Sequence, residues 1–369
     1  MVKVLVVGQT PPPFGGQAIM VQNLLERKLQ NIKLYHVRMA FSSEMDEIGR
    51  FRISKILHLI GVIIHIIWMR FFYGIQILYY PPAGPNKIPM YRDFAILILT
   101  RVFFSRTIFH FHAGGISKLI QTVSPIERWL AKLAYFYADC SIRTSTLNPE
   151  DGKKLKAKKD IVIPNGIKDN FILNNYENKN NNIIPTILFV SVLNPAKGVD
   201  ILIDSCILLK NEGLQFKLEL MGRFCSEEYE KNINEKIKTS NLSSSVTFLG
   251  VKTGDEKWEA FKRVDIFCFP SYFESESFGL VALEAMQFEL PVVATHWRGI
   301  PSVVRDGENG YLVPIKNVKA VAGKLRLLLD NTEKRKAMGK RGREIYLQNF
   351  TLEKWYERME EVFMEIGKI

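Results

Sequence analysis

Cysteine is scarce in this chain: Cys140, Cys206, Cys225 and Cys268 are the only four in 369 residues, and none stand at C-x-x-C spacing. That argues against a disulfide framework and a cysteine-built zinc site, and a reducing cytoplasm fits. Long apolar runs are missing too. The most apolar stretch, Ile56 to Met69, falls short of the roughly 20 residues that span a bilayer. The opening Met-Val-Lys-Val-Leu-Val-Val-Gly is too short for the apolar part of a signal peptide and is broken by Gly8 and Pro11 to Pro13, so it reads as a buried strand. No Asp-x-Asp pair stands at a strand end, which removes one common carboxylate pattern for a divalent ion. The basic segments carry no recognition-helix, zinc-finger or RNP-type aromatic pattern, so nucleic acid is not the expected partner.

What is present is an ordinary globular composition with a surplus of positive charge. Hydrophobic residues make up 47% of the chain, ample for two cores at a length typical of two domains. A net charge of +12 and a pI near 9.4 point to an acidic partner, either nucleotide phosphate or an anionic membrane face. The run Lys153, Lys154, Lys156, Lys158 and Lys159 reads most simply as a solvated face.

β-rich segments alternate with helical ones throughout. In the first half strands are expected at Val2 to Val7, Lys33 to Val37, Ile75 to Tyr80, Thr107 to Phe111, Cys140 to Thr144 and Ile161 to Ile163. In the second they are expected at Thr186 to Val190, Lys217 to Met221, Ser245 to Leu249, Asp265 to Phe269, Pro291 to Ala294 and Gly310 to Val313. This predicts an α/β protein of two doubly wound, Rossmann-like parallel sheets, with ligands at the carboxyl ends of the strands. The division is placed at Pro164 to Gly166, giving domains 1–165 and 166–350. The Asn-rich tract from Asn174 to Asn182 has the composition of an exposed connection. Ser124-Pro125-Ile-Glu127 reads as a helix start with its cap. After Thr351, Trp355, Met359, Val362 and Phe363 recur at helical spacing.

The most informative stretch is Pro270 to Thr295, PSYFESESFGLVALEAMQFELPVVAT, which reads as strand, polar turn, helix and strand. Glu276 stands just ahead of the expected helix, where free N–H groups and the dipole favour anions. Glu284 is the only charge in the run Phe278 to Met286 and would lie about two turns inward on a helix buried almost all round, where a carboxylate is costly unless paired. The bland reading makes Glu276 a cap acid and pairs Glu284 with a nearby lysine. The alternative is a pair of acids that read an extended ligand whose phosphate rests at the helix end.

The phrase E-S-F-G-L-V-A-L-E-A-M, preceded by FCFPS and followed by LPVVAT, resembles the retaining GT-B glycosyltransferases with a Glu-x7-Glu motif, the glycosyltransferase family 4 type. The resemblance implies two domains facing across a cleft, with helix 351–369 crossing back to the first. It implies that Glu276 lies at the donor sugar, that the backbone of Phe278, Gly279 and Leu280 approaches sugar and diphosphate, and that Glu284 holds the ribose. Gly15 and Gly16, ending the first loop, would contact diphosphate. His112, at the end of the strand Thr107 to Phe111, matches the family histidine beside sugar and acceptor better than His110, although either could be a satisfied half-buried residue. Lys197, in Leu193-Asn-Pro-Ala-Lys197-Gly198, matches the lysine on the diphosphate.

There are departures. Ser191-Val192-Leu193 replaces the family's Gly-Arg-Leu, and Arg223, in Met221-Gly222-Arg223, is the proposed substitute. Glu289 stands where the family has glycine, and Arg298-Gly-Ile-Pro-Ser302 replaces G-G-I-P-E. The expected catalytic set is Glu276, His112, Lys197 and Arg223, with no metal and no cofactor beyond the co-substrate. The implied reaction is transfer of a hexose from a UDP or GDP sugar to a lipid-linked glycan. The region Phe41 to Arg106, where the family recognises acceptor, resembles it least. The basic flanks of the Ile56 to Met69 helix, with its stripe Arg50, Ser54, His58, Gly61 and His65, suggest peripheral contact with the cytoplasmic face of an anionic membrane; a core helix is the alternative. Competing functions are a catalytically silent nucleotide-sugar-binding subunit, an enzyme with a small soluble acceptor, or an epimerase or phosphorylase of the same fold.

Overall fold

In the computed structural model, which describes residues 1–12, 15–41, 53–173 and 184–368, the chain divides into two units, Met1–Asn165 with Glu353–Ile369, and Gly166–Leu352. The Asn-rich tract and Arg50 lie outside the described residues, as does the side chain of Ser54.

The first unit runs β1 (Val2–Gly8), α1 (Gly16–Glu26), β2 (Ile32–Arg38), α2 (Ile53–Phe72), β3 (Ile77–Tyr80), α3 (Lys87–Thr100), β4 (Arg106–Phe111), α4 (Ile116–Thr122), α5 (Pro125–Tyr135), β5 (Cys140–Arg143), α6 (Asp151–Lys154) and β6 (Lys159–Val162). The second runs α7 (Asn170–Leu173), β7 (Thr186–Val190), α8 (Val199–Asn211), β8 (Lys217–Met221), α9 (Glu227–Thr239), β9 (Val246–Gly250), α10 (Gly254–Arg263), β10 (Ile266–Phe269), α11 (Leu280–Gln287), β11 (Val292–Thr295), β12 (Gly310–Val313), α12 (Val318–Leu329) and α13 (Thr332–Asn349); α14 (Leu352–Lys368) then returns to the first unit. The alternation expected from the sequence is present, with strand ends shifted by one or two residues.

Each unit holds a six-stranded sheet, ordered β2-β1-β3-β4-β5-β6 in the first and β12-β11-β10-β7-β8-β9 in the second. The pairings are parallel throughout. Central strands such as Ile266–Phe269 are buried at every residue, because helices cover both faces. In the second unit the order reverses between β7 and β10, so the loops leaving those strands part to opposite faces and open a crevice at their carboxyl ends. In the first unit the reversal falls between β1 and β3.

Sequence logic is visible at the helix ends. Ser124 accepts from Glu127 N and Glu127 accepts from Ser124 N, a complete capping box that starts α5. On α14, Trp355, Met359, Val362 and Phe363 are all buried, and Tyr356 donates to Asn23 O at 2.8 Å while Phe363 meets Tyr79 edge-on at 5.8 Å. The apolar run of α2 lies in a helix of 20 residues; one face, through Val62, Ile66 and Met69, is core, and the other is exposed. Among the described residues no helix is long and apolar enough to cross a membrane.

Candidate functional site

The crevice at the switch point of the second sheet is lined by two loops, one after β7 and one after β10, and these carry Lys197 and Glu276. Asn194 caps a short 3-10 turn by accepting from Lys197 N at 2.8 Å, which aims the lysine. The next residue must be glycine: Gly198 has φ +84, and a Cβ there would lie 2.2 Å from Pro270 O, the first residue of the other loop. Tyr272 N donates to Ala196 O at 2.8 Å, so the loops are hydrogen-bonded to each other as well as pressed together. Lys197 Nζ consequently donates to Glu276 Oε2 at 2.7 Å, across 79 residues of sequence, with both side chains mostly enclosed at 17% and 11% exposure.

Supporting contacts hold this pair. Ser271 Oγ donates to the same carboxylate oxygen at 3.4 Å, and Thr295 Oγ1 donates to Ser271 O. Trp297 Nε1 donates to Phe273 O at 2.9 Å and fixes the loop tip. The Lys197 ammonium sits 4.4 Å from the centre of the Phe273 ring, a cation–π contact.

The helix that follows differs from expectation in two ways. α11 begins at Leu280, capped by Gly279 at φ +76, and Phe278 is outside it, buried against Phe350 at 5.8 Å. The apolar character of Phe278 therefore serves the core, and Glu284 lies little more than one turn inward, not two. Nor is the helix buried all round: Leu280, Val281 and Glu284 share a half-open side. Glu284 Oε1 accepts from Lys257 Nζ on α10 at 2.6 Å, so the lysine partner of the bland reading exists. The Glu284 side chain nevertheless stays 16% exposed. Gly279 leaves the α11 N–H groups without a side-chain cap, which makes the helix start a ready anion acceptor.

Arg223 follows β8, whose neighbour in the sheet is β7. Its carbonyl accepts from Leu193 N at 2.8 Å, tying the two loops, and its side chain is exposed. Sequence reasoning missed Ser271 and Lys257. Ser271 was within the FCFPS phrase, whereas Lys257 sits on an amphipathic helix with no motif around it; only the demand of Glu284 for a partner signalled it.

In the first unit His110 and His112 stack at 4.0 Å between ring centres, as strand alternation predicted. Tyr79 OH is 2.7 Å from His110 Nδ1, and neither histidine has a partner for Nε2. Burial pushes the His112 imidazole down to about 3 and holds His110 well below its ordinary value, with the neighbouring His112 charge adding to the effect on His110, so both rings are neutral near pH 7. The loop after β1 ends at Gly15, which starts α1 without a side-chain cap, followed by Gly16. Arg38 grips the beginning of that loop by donating to the carbonyls of Thr10, Pro11 and Pro12.

Two Rossmann-like units of parallel sheet, one with paired acid and lysine at its switch point, define the GT-B fold. The resemblance is borne out at sequence level, since residues 172–345 match the family model described as glycosyl transferases group 1. The chain is 34% identical over 207 residues to an uncharacterised glycosyltransferase of Methanocaldococcus jannaschii, covering 56% of this chain and 54% of that protein. It is 28% identical over 167 residues to the capsular polysaccharide biosynthesis glycosyltransferase CapM of Staphylococcus aureus, covering 45% of this chain and 42% of CapM. The matches thus span about half the length of these relatives. Anabaena HepE, solved in complex with UDP, superposes with a TM-score of 0.74 over 99% of this chain and 100% of that one at 17% identity, a likeness of fold.

Proposed function

We infer that this protein is a retaining glycosyltransferase that moves a hexose from a UDP or GDP sugar to an acceptor, with a lipid-linked glycan of cell-surface polysaccharide as the favoured class. The observation that carries the reading is the Lys197–Glu276 pair at the switch point beside the uncapped start of α11. Breaking the bond between anomeric carbon and diphosphate leaves negative charge on a phosphate oxygen, and a fixed ammonium and oriented N–H groups in an enclosed site stabilise that charge. Lys197 and the α11 start are assigned to this task, with Arg223 as the further cation. Glu276 is assigned to the sugar hydroxyls, Glu284 to the ribose, the backbone of Phe278 to Leu280 and of Gly15 and Gly16 to the diphosphate, and neutral His112 to the sugar. No resident metal or cofactor has a part.

Similarity to CapM, and HepE having been solved with UDP, support donor and pathway class. The working place assigned is the cytoplasmic face of a membrane, held peripherally. The test is release of UDP or GDP when purified protein is incubated with a panel of nucleotide sugars, with and without membrane lipid extract, and the anomeric configuration of the product. No turnover of any nucleotide sugar together with tight nucleotide binding would favour a silent binding subunit, the reading to which Val192 in place of the family arginine lends weight.

A further inference from the structure

The outer surface of the first unit between residues 53 and 137 is built unlike the rest of the protein. α2 packs beside α3 and α3 beside α5, forming a layer on one face of the sheet. The inward sides are core; the outward sides are also apolar. On α2 Leu57, Ile60, Ile64, Trp68 and Phe71 are exposed at spacings of three and four, and Phe72, four residues beyond Trp68, is exposed beside them. On α3 and the turn after it Ile88, Tyr91, Leu99 and Val102 are exposed, and on α5 Ile126, Trp129 and Leu133, followed by Tyr137. Contacts join these stripes into one surface. Phe71 meets Phe103 at 5.5 Å, Arg70 Nε donates to Phe103 O at 2.6 Å, and Tyr91 OH donates to Glu127 on α5. An apolar patch of this extent on a soluble surface marks an interaction site.

Charge identifies the occupant. Residues 53 to 137 contain nine lysines and arginines and only two carboxylates, Asp93 and Glu127, a net charge of +7. Each carboxylate is matched by one cation, Asp93 by Arg92 at 2.8 Å and Glu127 by Lys87 at 3.8 Å, and the remaining cations have no carboxylate within this stretch to offset them. Asp93 is fully buried and accepts from Arg92, Tyr80, Tyr135 and Ala83, while Glu127 is held by the cap of α5 and by Tyr91, with Lys87 3.8 Å away. Lys87, Arg128 and Lys132 are exposed among the apolar stripes. A second copy of the chain would set this cationic face against itself, an arrangement in which like charges oppose docking. An anionic bilayer supplies both the apolar depth and the opposite charge, and aromatic rings with flanking Lys and Arg are the side chains suited to its interface.

We propose that the outer face of the α2–α3–α5 layer is the docking surface for an anionic lipid bilayer. Trp68, Phe72, Ile126 and Trp129 enter the interface, and Lys87, Arg128 and Lys132 lie at the level of the lipid phosphates. The proposal rests on the membrane part of the reading above and extends it from one helix to a three-helix face.

The test is co-sedimentation of the full chain with phosphatidylcholine vesicles with and without phosphatidylglycerol, at low and high salt. Binding to the anionic vesicles at low salt, weakened by salt, is expected. Trp68→Ser/Phe72→Ser/Trp129→Ser should lower the partition coefficient by about tenfold or more. Lys87→Glu/Lys132→Glu should remove the preference for anionic lipid. UDP and GDP binding without vesicles, unchanged in both variants, shows that they fold and keeps the docking surface separate from the transferase reading: vesicle binding without nucleotide binding upholds the former and sinks the latter. Absence of wild-type binding at low salt, variants that bind like the wild type, or a dimer in light scattering that these substitutions dissolve would each overturn the proposal.

Discussion

Replacing Lys197 by methionine, which keeps the stem and removes the charge, is the sharpest test of the site. An ammonium within about 4 Å of a phosphate oxygen, at an effective dielectric near 20, contributes about 4 kcal/mol. Part of that is offset, because Lys197 already donates to Glu276 at 2.7 Å and must share its charge between the two partners. A net loss of about 3 kcal/mol from the transition state lowers kcat by about two orders of magnitude, the scale seen when one preorganised donor is removed from an anion site. The loss should fall on kcat more than on KM, since charge on the bridging oxygen grows as the bond breaks. Lys197→Arg should recover only part of it, because a guanidinium spreads over a plane the charge that an ammonium concentrates at one point. Steady-state kinetics with the best donor, alongside thermal unfolding to confirm the fold, gives the answer. A methionine variant whose kcat lies within threefold of wild type would falsify the assignment of Lys197 to the leaving group.

Gly198→Ala should cost about 3 kcal/mol or more, from a left-handed backbone and a Cβ driven into Pro270 O, read as a lower urea midpoint for the second unit; an unchanged midpoint means that the two loops do not press together as described. Glu284→Ala should weaken UDP or GDP binding by about tenfold or more in calorimetry, whereas Glu276→Ala should chiefly lower turnover, and equal effects on both quantities would merge the two roles. Arg223→Ala should lower kcat/KM by about 2 kcal/mol equivalent if it replaces the family arginine; no change removes it from the site. For His112, with an ordinary value of 6.5 and a folded value of about 3, the unfolded chain binds the extra proton between those limits, so stability falls as pH drops below 6.5. The loss is about 2 kcal/mol by pH 5 from this group alone, and His110 adds in the same direction. His110→Asn/His112→Asn should flatten that acid slope in denaturant titrations, and an equally steep slope would place its origin elsewhere.

Much was determined by the sequence alone. Alternating β-rich and helical segments report local backbone preference and burial on both faces, and from those follow two parallel sheets and nearly every strand. Ser124 and Glu127 specify their capping box within four residues, and the positions of Glu276 ahead of a helix and Glu284 on it follow from the local phrase because a turn and a helix place them. The start of α11 was misjudged for a reason of the same kind: Phe278 is apolar for the core, and periodicity counts an apolar residue without knowing what it packs against. Strand order was left to the tertiary structure, since it depends on how crossovers pack, and it is the reversal between β7 and β10 that brings Lys197 to Glu276. Lys257 with Glu284, and Tyr79 with His110, are likewise pairings between separate elements that no local pattern encodes. The two apolar faces of α2 make the same point: hydrophobicity in the chain says that a side chain leaves water, and only the packed layer of α2, α3 and α5 decides that one face enters the core and the other remains at the surface.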